Sequence, residues 1–127
     1  MGTFLLKNKI KVHHLLDHSS GIYSFNNDLR YVNTYIGSKA ADGISWTPEQ
    51  LIELAHTGDA EPQGKPGSGH YYSDTNTILL GLIIEKISGV SFRQYLKSTI
   101  IDPLELRNTG FYGTQTDTGS IEVSPTV

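Results

Sequence analysis

Apolar residues recur along this chain at helical intervals in several short windows and rarely at strand intervals. Val12, Leu15 and Leu16 form an i, i+3, i+4 stripe that predicts a helix over 11–18, stopped by Ser19-Ser20-Gly21. A second helix is predicted over 28–36, with Asn27 as its cap, Leu29, Val32 and Ile36 facing inward, and Gly37 as its end. Thr47-Pro48-Glu49-Gln50 places Thr at the N-cap, Pro at the first helical position and Gln at the third, a capping box with the preferred proline. Leu51, Ile52, Leu54 and Ala55 give that helix its apolar side, and Gly58 stands where a C-terminal glycine belongs. The Gly/Pro-rich run 59–70 reads as loop. The longest helix is predicted over 74–88, with Ile78, Leu79, Leu82, Ile83 and Ile87 as its stripe. Leu80 and Ile84 widen the stripe, so this helix is expected to be buried on most sides, with Gly89 ending it. Ser91-Phe92-Arg93-Gln94 opens another helix with a second capping box, reaching about Thr99 before Asp102-Pro103 breaks it. The pattern predicts a mainly α fold with long irregular loops at 19–46 and 59–72, and a flexible tail over 113–127 rich in Thr, Ser and Gly.

Composition narrows the function classes. A chain of 127 residues suffices for one domain with one core, but hydrophobic residues make up only 37%. The net charge of −3, with scattered Lys and Arg, gives no footprint for nucleic acid and no basic membrane patch. There is no cysteine, which rules out disulfides and thiolate metal sites and leaves the compartment open. No apolar run approaches the roughly 18–20 residues of a membrane-spanning helix. The apolar stretch at the start is too short for a signal-peptide core, and Leu6 stands where a myristoylation signal after Gly2 needs Ser or Thr.

The segment from Pro66 to Gly81 carries candidate chemistry. A Gly-rich loop delivers Tyr72 to the start of the longest helix. A tyrosine there can project into a cleft, where helix N-terminal amides favour its anionic form. A phenolate can take a proton from a hydroxyl nucleophile. From the residues alone, an interface tyrosine at Tyr72 and a plain N-cap at Asp74 fit better.

The run Pro66-Gly67-Ser68-Gly69-His70-Tyr71-Tyr72-Ser73-Asp74-Thr75-Asn76-Thr77-Ile78-Leu79-Leu80-Gly81 resembles the P-G-x-x-F-x-Y-S-N-T-N-Y-x-L-L-G segment of the penicillin-recognising serine hydrolases. That family includes class C β-lactamases, D-alanyl-D-alanine carboxypeptidases and related esterases. Residues 10–22 look like its I-T-I-R-H-L-L-T-H-T-S-G-I. Ile83-Ile84-Glu85-Lys86-Ile87-Ser88-Gly89 and Ile101-Asp102-Pro103-Leu104 look like its I-I-E-K-V-T-G and I-F-P-L-G-M. The resemblance covers 10–112 and implies the helical subdomain of a β-lactamase-like α/β serine hydrolase, without most of the central sheet. It implies a catalytic role for Tyr72, as general base or its partner, and for Asp74. Asp74 replaces the family's Asn, which contacts the catalytic lysine and the substrate amide. An Asp can accept from lysine but cannot donate to a carbonyl. His70, Thr77 and Glu105-Leu106 are further departures, standing for an aromatic, Tyr and Gly-Met.

The rest of the family's machinery is missing from this sequence. The nucleophile lies in S-x-x-K, and no lysine here has a serine three positions before it. His56-Thr57-Gly58 matches the family's third motif H-x-G in letters, but it precedes Tyr72 instead of following it. His14 and His18 have metal-ligand spacing without an evident third ligand, and His18-Ser19-Ser20 invites a Ser–His reading. The resemblance explains these histidines and serines as a helix end. It implies a peptide, ester or lactam substrate for the whole enzyme, no metal, no cofactor, and a setting often outside the bacterial cytoplasm. The chain alone is expected to be inactive, with exposed apolar faces that favour a homodimer. The alternative is a non-catalytic helical module that binds a partner or self-associates. If the sequence is an excerpt, S-x-x-K is expected some tens of residues upstream.

Overall fold

The computed structural model describes residues 8–36, 46–57 and 60–111. Within them lie helices α1 (Val12–Leu16), α2 (Leu29–Ile36), α3 (Pro48–Leu54), α4 (Asp74–Ser88) and α5 (Phe92–Leu96). A 3-10 turn at Phe25–Asn27 precedes α2, and a π-helical segment at Lys97–Ile101 follows α5. There is no strand among the described residues, and no single helix there is long and apolar enough to cross a membrane. Gly37, Gly58 and the tail 113–127 lie outside the described residues.

The first compact unit runs up to Ile83. α1 is shorter than the apolar stripe predicts because the backbone leaves helical geometry at His18, whose φ is +55°. The Ser19 N–H closes the helix end on the His14 carbonyl at 2.9 Å, with His18 in the left-handed position that glycine usually fills. α2 is capped by Asp28 rather than Asn27, since Asn27 belongs to the 3-10 turn. The Asp28 carboxylate accepts the Arg30 N–H at 2.8 Å and the Arg30 guanidinium at 2.8 Å. The side-chain bond from Arg30 holds the Asp28 carboxyl below the ordinary carboxylate range. Arg30 also reaches the Thr57 hydroxyl, tying the start of α2 to the end of α3. The capping box of α3 is formed as read: Gln50 N–H donates to the Thr47 hydroxyl at 3.3 Å, and Thr47 N–H donates to the Gln50 side chain at 2.9 Å.

The apolar core of this unit is small: Leu15, Ile22, Phe25, Leu54 and Ala55, flanked by partly buried residues that include Ile78, Leu79, Leu80 and Ile83 of α4. The expectation that α4 is buried on most sides is not met. Thr75 and Asn76 are its buried residues, its apolar stripe is half-exposed, and Ile87 is 81% exposed. Among the described residues of this unit, the core meets α4 through Ile78, Leu79, Leu80 and Ile83.

The second unit, from Ile84 onward, has its own contacts. Ser91 accepts the Gln94 N–H at 3.2 Å, and Glu85 accepts the Phe92 N–H at 2.8 Å. Phe92 meets Phe111 edge to face, and the Arg93 guanidinium lies 4.9 Å from the Phe111 ring centre. The helix predicted to reach Thr99 keeps α geometry only to Leu96. The Ser98 and Thr99 hydroxyls bond back to the Tyr95 carbonyl, at 3.2 and 2.6 Å, and such back-bonding distorts helical turns. Glu105 has φ +50° at a position where the resembling segment has glycine.

One close approach fixes the loop that leads into α4. Gly67 and Tyr71 donate N–H bonds to the carbonyls of Ser19 and His18, at 2.8 and 2.7 Å, and Gln63 to that of Gly21 at 2.8 Å. Gly21 has φ +73°, and a Cβ there would run into the Gly64 carbonyl. Gly21→Ala should therefore destabilise the fold by about 2–4 kcal/mol, from left-handed strain plus overpacking. Urea denaturation checks this, and an unchanged midpoint would contradict the close approach.

Candidate active site at the start of α4

The first turn of α4 carries Ser73, Asp74, Thr75 and Asn76, and each is engaged from the 18–26 segment. Asp74 N–H donates to the Ser24 hydroxyl at 2.8 Å, so the helix is capped by a residue distant in sequence. The Thr75 hydroxyl donates to the Tyr23 carbonyl at 2.9 Å and accepts the Phe25 N–H at 3.1 Å. The Ser20 hydroxyl accepts the Ile22 N–H at 3.1 Å and donates to Asn76 Oδ1 at 2.7 Å. Asn76 Nδ2 lies 3.1 Å from His18 Nδ1, which also accepts the Ser73 N–H at 3.3 Å. The most completely buried side chains are Asn76, Thr75, Ser20 and Ser73, all polar. Ser73 Oγ is the exception to their pairing, a buried hydroxyl with no partner among the described residues.

Tyr72 and Asp74 stand on this support. The Tyr72 side chain is exposed, and its hydroxyl donates to Asp74 Oδ1 at 2.9 Å. The other carboxylate oxygen, Oδ2, accepts from Asn26 Nδ2. The Tyr72 ring lies on the His18 imidazole, with centres 4.4 Å apart and planes 33° apart, and His70 meets the His18 ring edge to face at 5.9 Å. Tyr71 is structural, its ring pressed against Gly64 and Gly69. The expectation that helix amides favour the Tyr72 anion is overturned. The hydrogen bond to Asp74 and that carboxylate's charge raise the phenol above its ordinary 10.0. A carboxylate at Asp74 outweighs the partial positive charge of the helix end.

The other candidates read from the sequence take structural places. Ser20 is buried within the network. Ser19 Oγ donates to Asp17, and that bond holds the Asp17 carboxyl low. His14 Nδ1 accepts the Lys11 N–H at 3.1 Å, so it and His18 serve different neighbours. Among the described residues no three His, Cys, Asp or Glu side chains cluster as a metal site. His56 Nδ1 pairs with the Ile52 carbonyl at 2.7 Å at the end of α3. Sequence reasoning missed Ser24, Asn26 and Asn76 and set His18 aside as a helix end. The one available signal was that their segments fall together in the resembling motifs.

A separate apolar groove of about 370 Å³ lies between α1, α3 and α4, lined by residues including Val12, Leu15, Ile52, Leu79 and Ile83. Neither Tyr72 nor Asp74 lines it. Its polar lining residues are Lys11, His56 and Thr75, and the Thr75 hydroxyl is engaged by Tyr23 and Phe25.

Two outcomes follow from the geometry. Asn76→Ala strands Ser20 and His18 and should cost about 1–3 kcal/mol, whereas Ser73→Ala removes an unpaired buried hydroxyl and should be neutral or stabilising. Thermal unfolding of the two variants checks the contrast, and equal losses would contradict it. Asp74→Asn should lower the Tyr72 phenol toward its ordinary value, read as the absorbance titration difference between each parent and its Tyr72→Phe variant. The sign follows from linkage: a raised phenol favours the folded state below the ordinary tyrosine range of about 10 and loses that contribution as pH rises through the folded value. The fall in stability above about pH 10 should therefore be shallower in Asp74→Asn, whose phenol differs less between folded and unfolded states.

Comparison with known proteins gives the family and fold of the chain. The sequence profile of the Beta-lactamase family matches residues 4–119. A protein described as "Putative D-alanyl-D-alanine carboxypeptidase" from Salmonella heidelberg (strain SL476) is 34% identical over 105 residues, covering 83% of this chain and 22% of its own. The D-stereospecific amidohydrolase from Streptomyces sp. superposes with a TM-score of 0.74 at 38% identity, over 80% of this chain and 30% of its own. The octameric penicillin-binding protein homologue from Pyrococcus abyssi gives 0.53 at 34% identity, over 83% of this chain and 25% of its own. The chain thus spans about a fifth of the length of the curated relatives it matches. On the matched profile, the helical fold shared with these structures and the Tyr72-Ser73-Asp74 motif, this chain belongs to the Beta-lactamase family and corresponds to part of its serine-hydrolase fold.

Proposed function

We propose that Tyr72 carries the proton in a serine-hydrolase site whose nucleophile and sheet strand lie outside this chain, with Asp74 as its partner. The observation that carries this is the exposed Tyr72 hydroxyl held 2.9 Å from Asp74 at the start of α4. The whole enzyme would acylate its serine with an amide, ester or lactam carbonyl and hydrolyse the acyl-enzyme, Tyr72 moving the proton in each half. The names of the relatives favour substrates with a D-configured residue beside the scissile amide. The phenol is protonated at neutral pH, as tyrosine ordinarily is, and Asp74 raises it further, so Tyr72 suits the donor half of the relay. To act as base it needs a cation, such as the family's lysine, to offset the carboxylate. The chain alone is inactive on this reading, because no S-x-x-K serine is present.

The apolar groove among α1, α3 and α4 favours a second reading, a non-catalytic module that binds an apolar partner or self-associates. The two are separated by grafting residues 10–111 into the Streptomyces amidohydrolase in place of its matching segment. The chimera should be acylated by a serine-reactive phosphonate, seen by intact mass, while the chain alone gives no adduct. Tyr72→Phe should slow amide hydrolysis by about 10²–10⁴-fold, the usual worth of a positioned proton carrier. A folded, active chimera indifferent to Tyr72→Phe would overturn the proposal, as would an adduct on the isolated chain.

A further inference from the structure

We infer that His18 is the positioning residue for Tyr72: a neutral imidazole, bare at Nδ1 and protonated at Nε2, whose acceptor nitrogen fixes the first turn of α4 and whose face seats the phenol ring.

The protonation state follows from fixed donors. Ser73 N–H is a backbone donor aimed at His18 Nδ1 at 3.3 Å, so that nitrogen carries no hydrogen. The second contact obeys the same polarity. Ile22 N–H, another backbone donor, occupies Ser20 Oγ at 3.1 Å, and the Ser20 proton goes to Asn76 Oδ1 at 2.7 Å. That orients the Asn76 amide with its NH₂ toward His18 Nδ1 at 3.1 Å. The Ser73 N–H at the His18 end sets the direction of the chain of bonds, since an Nδ1 without hydrogen faces the Asn76 NH₂ and leaves Asn76 Oδ1 for the Ser20 proton. The remaining imidazole proton sits on Nε2. A second proton, at Nδ1, would oppose two N–H donors at once.

The backbone makes the same point. His18 takes φ +55°, a conformation that disfavours residues with a Cβ, at the end of a helix where glycine would be unstrained. Its carbonyl accepts the Tyr71 N–H at 2.7 Å, next to the residue it positions. The left-handed turn aims the ring back over the 71–76 segment, where it meets Tyr72 at 4.4 Å. The other groups facing this ring are His70, at 5.9 Å, and Asp74 beyond the Tyr72 hydroxyl, while Asp17 is engaged by Ser19. Without the imidazole face, Tyr72 keeps its bond to Asp74 but loses the surface that fixes its ring plane. The phenol proton would then no longer point in one direction.

The catalytic value of this placement rests on the reading of Tyr72 as proton carrier, but the placement itself does not. Two measurements on the chain as it stands decide it. Nitrogen NMR of the histidines above pH 8 should show His18 with an unprotonated Nδ1, a protonated Nε2 and a through-space contact to the Tyr72 ring. A protonated Nδ1, or no contact, overturns the inference without any variant. His18→Asn keeps a left-handed backbone and a side-chain acceptor for Ser73 and Asn76 while deleting the ring. It should melt within about 5 °C of the parent, and the Tyr72 ring signals should lose their ring-current displacement. A folded His18→Asn protein with unchanged Tyr72 signals also overturns it, because a purely structural His18 would leave Tyr72 in place. If Tyr72→Phe leaves the chimera active while these signatures hold, the functional reading fails and the positioning stands.

Discussion

The start of α4 is held by hydrogen bonds that water cannot replace. The 18–26 segment crosses that helix end and gives it a cap from Ser24, an acceptor from His18, a hydroxyl from Ser20 for Asn76, and the Tyr23 carbonyl and Phe25 N–H for Thr75. Each such bond contributes about 0.5–1.5 kcal/mol net, but an orphaned buried partner costs about 1–3 kcal/mol. The asymmetry makes the arrangement specific. Shifting the segment by one residue would strand several polar groups at once, a larger loss than the small apolar core beside it could offset. The most buried side chains being polar is the structural expression of that constraint.

Function follows from where this rigidity is spent. Tyr72 is exposed, yet the residues on both sides of it are tied down, Tyr71 by its backbone and Ser73 and Asp74 by theirs. An exposed side chain on a fixed base suits the proposed proton carrier, which has to meet a nucleophile from another part of a fold. The carboxylate at position 74 sets the electrostatics around Tyr72. Both carboxylate oxygens accept from this chain's own donors, Tyr72 and Asn26, and the phenol is pushed toward its neutral form.

What could be read from the sequence divides along physical lines. α3 and α4 were legible because their starts are written locally, in Thr47-Pro48-Glu49-Gln50 and in the long apolar stripe after Asp74. The lineage was legible because three motifs stand in order. The end of α1 was not, since no local pattern distinguishes a histidine that continues a helix from one that adopts a left-handed turn. The Ser24 cap and the Asn76–His18 pair join residues about fifty positions apart, beyond any periodicity argument. The burial of α4 was overestimated because an apolar stripe reports what a helix can bury, and the described residues cover only part of it. The effect of Asp74 on Tyr72 needed the distance between them, which spacing alone does not give.

Amide hydrogen exchange under native conditions tests the central claim most directly. If the buried network fixes the start of α4, the amides of Tyr71, Ser73 and Asp74 should exchange only through global unfolding, with the same denaturant dependence as the Ala55 amide at the end of α3. Near-unprotected exchange at those three positions while Ala55 stays protected would contradict it.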